Sequence, residues 1–351
     1  DLVSIQPFEG AANKTAAIIL KKGEKTKYPV PYTVWTKKKG IGKIATDKLL
    51  DEVLSLLQKK KMIAQPIGSK TGSWQTISET QKSMGDIESK NSYRAYRGAS
   101  TEPYSVFWLE VKQILSNDNI LVRNLANRGK KKLMKIEEVL ESDLIFPSVS
   151  GADIERWRIK NTNFLLMVQN PETRKPFTEA EMKTNWPRTY SYLTKFRDIL
   201  LSRASRTIKE LAGHTAFYTM YGIGPYTVAN YKVVWKRMAN DIIASVVSWH
   251  KTEFGYKVII PTDTTSFFST SNASEAHYLC AIINSKPVRD FIKSFSSTGR
   301  GFGSPSVMEH VGIPKFDPND QLHQKLSEIS IKCHRLKLES KEKEVEKLEK
   351  E

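Results

Sequence analysis

The feature that most constrains the fold is a long apolar segment near the end of the chain, which runs directly into a glycine-rich loop. Between Ala276 and Ser294, large apolar side chains recur at the spacing of one helix face. Pro287 follows Asn284 and Ser285, and a proline is tolerated in the first turn of a new helix. The spacing therefore predicts two consecutive buried helices, around which the preceding strands must pack.

The loop after these helices reads Thr298-Gly299-Arg300-Gly301-Phe302-Gly303-Ser304-Pro305. Glycines let the backbone approach a ligand closely, and the guanidinium of Arg300 suits a phosphate or a guanine. Phe302 adds an aromatic face, and Ser304 adds a hydroxyl that can reach a base or phosphate. Two interpretations stay open: a ligand-contacting loop, or a glycine-rich turn in which Arg300 pairs with an acid such as Asp290.

These segments, in this order, resemble the target-recognition half of adenine-specific DNA methyltransferases. The residues that carry the resemblance are LCAIINSKPV at 279–288, GRGFGSPSV at 299–307 and an expected strand IPKF at 313–316. A turn of the form G-x-D-I-x-R-aromatic provides a second match, with its residues at Gly151, Asp153, Ile154, Arg156 and Trp157. In that turn Ile154 and Trp157 are expected to be core residues, and Asp153 and Arg156 are expected to form a structural pair that holds the turn rather than to contact bases. The resemblance extends over nearly the whole chain and implies part of a restriction-modification (type IIG-like) or phage-defence enzyme.

The resemblance also implies a domain organisation within an α+β fold. It assigns residues 1–45 to the tail of a catalytic methyltransferase domain (a strand hairpin) and 46–91 to a connector helix and linker. It assigns 92–318 to the target-recognition domain and 319–351 to a long C-terminal helix. In the first segment an F-x-x-A loop implies that Phe8 lies near the flipped target adenine. The alternative is that Phe8 is a core residue of the hairpin.

The motifs that would carry catalysis do not occur in this sequence. The chain has no strand followed by a glycine-rich cofactor turn, and no Asn/Asp-Pro-Pro-aromatic loop; Glu102-Pro103-Tyr104 is the nearest match. We therefore expect no catalytic and no cofactor-binding residues here, while the resemblance implies that the parent protein uses S-adenosylmethionine. Whether the parent also cleaves DNA stays open. The histidines and the two cysteines have no ligand spacing, so no metal site is expected.

Composition and charge indicate the class of partner. With 351 residues the chain exceeds what one core usually serves, so either two domains or one domain with extensions is expected. No apolar run approaches the length of a membrane span, and a cytoplasmic location is expected. The net charge of +17 indicates a polyanion, here double-stranded DNA. Residues 144–318 hold 22 basic and 14 acidic residues, a net charge of +8, whereas residues 319–351 are neutral.

Candidate DNA-contacting residues are basic or aromatic side chains in loops and at strand ends. Each has a plainer alternative, a solvated loop for the cations and a half-buried sheet for the aromatic residues. Besides the loop residues Arg300, Phe302 and Ser304, the candidates are Arg94, Arg97, Arg128, Lys130, Lys131, Lys132, Tyr226, Lys236 and Arg237.

Helical patterns occur at three further places. A helix over 47–61, capped by Thr46, is expected to end in Lys59-Lys60-Lys61, and a capping box at Thr178 and Glu181 is expected to begin another. From Gln321 onward a helix is expected to pack on its own domain or to mediate self-association, with residues beyond Leu338 too polar for a core. That helix supports the alternative function, an assembly scaffold in a DNA-modifying complex.

Overall fold

The protein was analysed as a computed structural model that describes residues 2, 5, 15–45, 47–78, 87–116, 118–129, 133–296 and 301–350. The chain divides into two compact units, Asp1–Ser89 and Lys90–Glu351. In both units strands and helices are mixed, which makes the fold α+β, as the sequence predicts.

The first unit is built on an antiparallel sheet. Its described strands, in the order β1-β2-β3, are β1 (Val30–Lys37), β2 (Leu57–Pro66) and β3 (Trp74–Ile77). A short helix, α1 (Leu50–Ser55), precedes β2. The prediction of a helix over 47–61 is wrong beyond Ser55, because Lys59, Lys60 and Lys61 lie on β2. The strand hairpin expected within residues 1–45 has no strand at Thr15–Leu20, where we placed its second strand from the apolar run, since these described residues form no regular structure.

The larger sheet of the second unit has the order β16-β8-β11-β5-β6-β7 among the described residues. Its pairs are antiparallel apart from β16 with β8. Side chains of this sheet form part of the main core, which includes Phe107, Trp108 and Leu165. The strands are β5 (Trp108–Ile114), β6 (Asn119–Asn124), β7 (Glu137–Glu141), β8 (Ile145–Val149), β11 (Asn163–Leu166) and β16 (Ile260–Pro261).

A second antiparallel sheet runs in the order β13-β12-β17-β4 in the described part of the unit. Two hairpins, β9 with β10 and β14 with β15, complete the described strands. The ranges are β4 (Tyr96–Arg97), β9 (Ile154–Glu155), β10 (Arg158–Ile159), β12 (Tyr231–Lys236), β13 (Ala244–Val247), β14 (Trp249–Thr252), β15 (Gly255–Val258) and β17 (Thr265–Thr270).

Helices cover these sheets. The predicted pair is confirmed as α7 and α8, and the predicted capping box at Thr178 and Glu181 begins α3. The ranges are α2 (Tyr104–Phe107), α3 (Glu179–Asn185), α4 (Pro187–Thr194), α5 (Arg197–Leu201), α6 (Arg206–His214), α7 (Ala273–Asn284), α8 (Lys286–Phe295), α9 (Pro305–Met308), α10 (Gln321–Leu338) and α11 (Glu342–Leu348).

The C-terminal helices pack on their own unit. Helix α10 lies along α7, and its buried side chains include Cys333 and Leu336. In α11, Val345 and Leu348 are buried as well, so the expectation that residues beyond Leu338 are too polar for a core is wrong. The expected strand at 313–316 is also wrong, because these residues have irregular structure.

Membrane-spanning and metal-binding features are absent from the described residues. None of their helices is long and apolar enough to cross a lipid bilayer. The same residues contain no group of three or more His, Cys, Asp or Glu side chains that could hold a metal ion.

Candidate functional site

A buried carboxylate, Asp263, joins three segments that are far apart in sequence. The Arg97 guanidinium lies 3.4 Å from its Oδ2, and the Tyr104 hydroxyl lies 2.9 Å from both carboxylate oxygens. Arg237 donates from Nη1 to the Asp263 carbonyl at 2.6 Å. We call Arg97, Tyr104, Arg237 and Asp263 the Asp263 cluster. It lies where the chain passes from β16 in one sheet to β17 in the other.

A close crossing of two backbones positions this cluster. Gly98 follows Arg97 at the end of β4, and its backbone lies against Thr262. A Cβ atom at position 98 would stand 2.1 Å from the Thr262 carbonyl oxygen, so only glycine fits there without a shift of the backbone. Backbone hydrogen bonds from Gly98 to Thr265 (3.1 Å) and from Ala99 to Pro261 (2.8 Å) hold the crossing. The Arg97 side chain is therefore held next to Asp263.

Arg128 extends the cluster through aromatic rings. Its guanidinium lies 3.9 Å from the centroid of the Trp108 ring, and that ring packs 5.7 Å from Tyr104. Stacking on an aromatic ring orients a guanidinium while leaving its N–H groups available. The neighbouring candidates Lys130, Lys131 and Lys132 lie outside the described residues.

The end of β12 brings the glycine-rich loop next to Arg237. The Gly303 N–H donates to the Arg237 carbonyl at 3.1 Å, and the Trp235 indole donates to the Gly303 carbonyl at 2.8 Å. A Cβ at position 303 would lie 2.2 Å from the Lys236 carbonyl oxygen. The candidates Lys236 and Arg237 are thus neighbours of this loop.

The candidates in the loop itself have different positions. Phe302 is fully buried, so its ring is not available to a base. The prediction that it offers an aromatic face to a ligand is therefore wrong. Ser304 is the residue before α9, and its hydroxyl lies 3.0 Å from that of Ser306. Arg300 lies outside the described residues, as does Phe8 in the first unit.

Arg94 and Tyr226 form a separate group. Tyr96 stacks on Tyr226 with ring centroids 3.9 Å apart, and Arg94 lies 5.4 Å from the Tyr96 ring. Tyr96 and Arg97 are successive residues of β4, so their side chains point to opposite faces of the sheet. The structure therefore brings Arg97 and Arg237 to Asp263 and links Arg128 to Tyr104 through Trp108, but it places Arg94 and Tyr226 on the other face.

The G-x-D-I-x-R-aromatic turn has a structural role. Ile154 and Trp157 are buried, as expected. Asp153 accepts a hydrogen bond from the Ser150 N–H at 2.9 Å, whereas Arg156 pairs with Glu349 of α11 at 3.2 Å. The expected pairing between Asp153 and Arg156 is wrong, because each holds a different element.

The electrostatics of the cluster favour an anionic partner. Burial, followed by the charge of Asp263, raises the pKa of Tyr104, so its hydroxyl stays protonated and can donate to the carboxylate. Burial lowers the pKa of Arg128, but guanidinium starts so high that it keeps its charge at neutral pH. Arg97 thus pairs with the Asp263 carboxylate and Arg237 with its backbone carbonyl, and the Arg97 side chain is 44% exposed. Such a set can bind phosphates and pair with base edges.

The sequence analysis missed the residue at the centre of this arrangement. Asp263 is 7% exposed, and no motif surrounds it. The signal was a polar turn, Thr262-Asp263-Thr264, between two apolar strands. An acid in such a turn is most often a local cap, so only the three-dimensional contacts identify its partners.

Comparisons with solved structures gave a likeness in fold. No family model matches the sequence, and no curated protein matches it. The fold is similar to that of the type IIL restriction-modification enzyme MmeI, whose structure was solved in complex with DNA. The TM-score is 0.49 at 11% sequence identity, and the match covers 83% of this chain. The chain spans 38% of the length of that enzyme.

Proposed function

We propose that this chain binds double-stranded DNA and recognises its sequence as the specificity part of an adenine-specific DNA methyltransferase. The observation that carries DNA binding is that Arg97 and Arg237 meet at the buried Asp263, with Arg128 linked to Tyr104 of the same cluster through the Trp108 ring, in a chain of net charge +17. Cationic side chains on a positively charged protein release counterions from phosphates, which supplies sequence-independent affinity.

Fixed arginines add the means to recognise sequence. An arginine oriented by a buried acceptor can present two parallel N–H groups to O6 and N7 of guanine. Arg97 fits this role because Asp263 holds it from one side and its side chain remains exposed. Residues 92–318 would contain the DNA-reading surface, residues 1–45 would belong to the catalytic domain and 46–91 would connect the two.

The adenine target, the cofactor and the biological system follow from the sequence resemblance alone. In this proposal S-adenosylmethionine is bound by the catalytic domain of the parent protein, which transfers the methyl group. The parent belongs to a restriction-modification or phage-defence system. Its adenine target would leave the duplex to be methylated, because the exocyclic amine is not reachable within the stack.

The scaffold alternative has less support. The buried side chains of α10 and α11, among them Cys333, Leu336, Val345 and Leu348, are used within the second unit. Glu349 also accepts a hydrogen bond from the Trp157 indole at 2.7 Å, which fixes the end of α11 on the same unit. These buried side chains are therefore not available to a partner helix.

The test of recognition is to select preferred duplexes from a random library with the full chain and with Asp263→Asn. Asparagine keeps the shape but removes the charge that positions Arg97. We expect the variant to bind bulk duplex at least as tightly, since an acid has been removed, while its preference at one base pair falls by about 1–3 kcal/mol.

Arg97→Ala should reduce the preference at the same base pair. Arg335→Ala is the matched control, since this exposed arginine lies on α10, away from β4. If Asp263→Asn and Arg97→Ala selected the same sequences as the unmodified chain, the cluster would have no role in recognition.

A further inference from the structure

A second surface of this unit displays aromatic and basic side chains that the Asp263 cluster does not use. In the hairpin of β14 and β15, Trp249 and Lys251 are two residues apart, and Lys251 pairs across the strands with Tyr256. Side chains two apart on a strand, and side chains directly opposite, share one face. Trp249 is 53% exposed and Tyr256 is 65% exposed. Two exposed rings therefore flank an exposed ammonium group.

The hairpin is held firmly by other side chains. The Lys257 ammonium donates to the carbonyls of Ser142 and Asp143 at 3.2 and 3.1 Å. In the turn, Phe254 packs on Phe164 with ring centroids 5.5 Å apart. Rigid aromatic side chains can make contacts with little loss of conformational entropy on binding.

A groove of about 350 Å³ adjoins the base of the hairpin. Its lining includes Trp249, His250 and the segment Arg158–Thr162. Val247 and Ile259 belong to the same lining, and we call these two buried apolar residues its floor. This volume lies within the range of about 300–1,000 Å³ that is usual for small-ligand sites, and it can accept a flat ring.

The rim of the groove carries an excess of positive charge. Arg158 and Lys160 both pair with Glu155, at 2.6 and 2.9 Å, so two cations share one acid. The Asn161 side chain is exposed and makes no hydrogen bond to the described residues, which leaves its amide able to bind a base edge. Anionic groups are therefore favoured beside an apolar floor.

We propose that this hairpin and groove bind a single-stranded segment of nucleic acid. The bases would stack on Trp249 and Tyr256, and the phosphates would lie near Lys251 and Lys160. Stacking on exposed aromatic residues beside basic side chains is the general way in which single strands are bound. A paired duplex does not fit this chemistry, because its base faces are covered by neighbouring bases. The positive rim argues against a purely apolar protein partner, which would leave these cations without an anion.

The proposed site is separate from the Asp263 cluster. The hairpin follows β13, and β13 and β4 lie at opposite edges of the four-stranded sheet. Single-strand binding does not rest on duplex recognition, so each can fail without the other.

The test measures binding of a labelled single-stranded oligothymidylate to the full chain by fluorescence anisotropy. Replacement of both rings by leucine, Trp249→Leu with Tyr256→Leu, keeps an apolar surface but removes stacking. Loss of one or two stacked bases predicts a Kd about tenfold to a hundredfold higher. Replacement of both by phenylalanine keeps the rings and should preserve most of the affinity. Trp74→Ala, which removes an exposed tryptophan of the first unit, is the matched control.

An abasic strand of the same length separates stacking from charge. We expect it to bind the unmodified chain as weakly as the oligothymidylate binds the leucine variant. The proposal is overturned if the full chain does not bind the oligothymidylate, if the leucine variant binds it normally, or if the abasic strand binds equally well. Thermal unfolding of each variant checks the fold. Binding of a DNA duplex is measured for the same proteins, and the leucine variant should keep its affinity for the duplex. This comparison distinguishes loss of the single-strand site from loss of duplex binding.

Discussion

Lys232 is a lysine in the middle of β12 whose side chain is fully buried. Its ammonium donates to the Ala229 carbonyl at 2.7 Å, and no acid in the described part of the chain forms an ion pair with it. Burial lowers the pKa of Lys232 to about 7 from its ordinary 10.5. Between these two values the unfolded chain binds the proton and the folded chain does not, so stability rises with pH.

We therefore expect Lys232 to make the protein more stable at pH 9 than at pH 7. One pKa unit corresponds to about 1.4 kcal/mol, which gives an increment of roughly 2–3 kcal/mol over this interval. Lys232→Met should lack the increment. Urea unfolding of both proteins at the two pH values measures it, and the comparison cancels groups that titrate in both. Equal pH dependence in the two proteins would mean that the lysine stays charged in the fold.

Two buried histidines should make the stability of the fold sensitive to acidic pH. His334 accepts a hydrogen bond from the Val246 N–H at 3.1 Å and packs 5.0 Å from His277. Burial lowers the pKa of each to about 4 from 6.5. Because the folded values lie below the unfolded ones, stability is present above pH 6.5 and is lost as pH falls towards 4.

At pH 5 the expected loss is about 2 kcal/mol for each histidine relative to pH 7. Between pH 7 and pH 5, the free energy of unfolding of His334→Gln should fall by about 2 kcal/mol less than that of the unmodified chain. At pH 7 the variant should be the less stable of the two proteins. Chemical unfolding at both pH values checks this. A variant with the same acid sensitivity as the unmodified chain would show that His334 does not remain neutral.

At the residue scale, the sequence predicts the chemical type of a candidate side chain better than the place of that side chain in the fold. Arg97 and Arg237 were identified as exposed cations near loops, and the structure places both at Asp263. Phe302 was identified by its glycine neighbours, but a glycine-rich loop can direct a large ring inward as easily as outward. Burial depends on contacts from distant segments, which local sequence does not contain.

At the element scale, the attachment of α11 can be tested. Leu348 is buried, whereas Leu322 on α10 is 62% exposed. Leu348→Ala should destabilise the second unit by about 2 kcal/mol, because it removes buried methyl groups and leaves a cavity. Leu322→Ala should change stability by less than about 0.5 kcal/mol. Similar melting temperatures for the two variants would show that α11 is not held on the unit.

The helix pair with strong apolar spacing was predicted correctly, whereas the first half of β2, which depends on a distant partner strand, was expected to be helical. The apolar spacing of α7 and α8 specifies one buried face over several turns, so their sequence alone indicates the fold. The segment 57–61 has helical composition, but Lys59 and Lys61 pair with Trp35 and Thr33 of β1. Pairing with a strand more than 20 residues away overrides local propensity, and single-sequence reasoning does not detect that partner.

At the scale of the whole molecule, net charge and its distribution support the proposed partner. Residues 319–351 are neutral, and their helices are packed on the second unit, while residues 144–318 carry a net charge of +8. An electrostatic interaction of this kind should weaken steeply as salt increases. The mixed α+β class could be expected from the pattern of short strands and helices. The meeting of Arg97 and Arg237 at Asp263 could not be predicted from the sequence, because it requires the backbone crossing at Gly98.

The salt dependence of duplex DNA binding tests the central claim most directly. Affinity is measured at several salt concentrations for the full chain, for Arg97→Ala with Arg128→Ala, and for the control Arg335→Ala. If the arginines around Asp263 bind phosphates, the double variant should bind DNA more weakly, and the slope of log K against log salt should become shallower by about 1 for each phosphate that is no longer neutralised. The control should match the unmodified chain. Equal affinities and slopes for all three proteins would contradict the account.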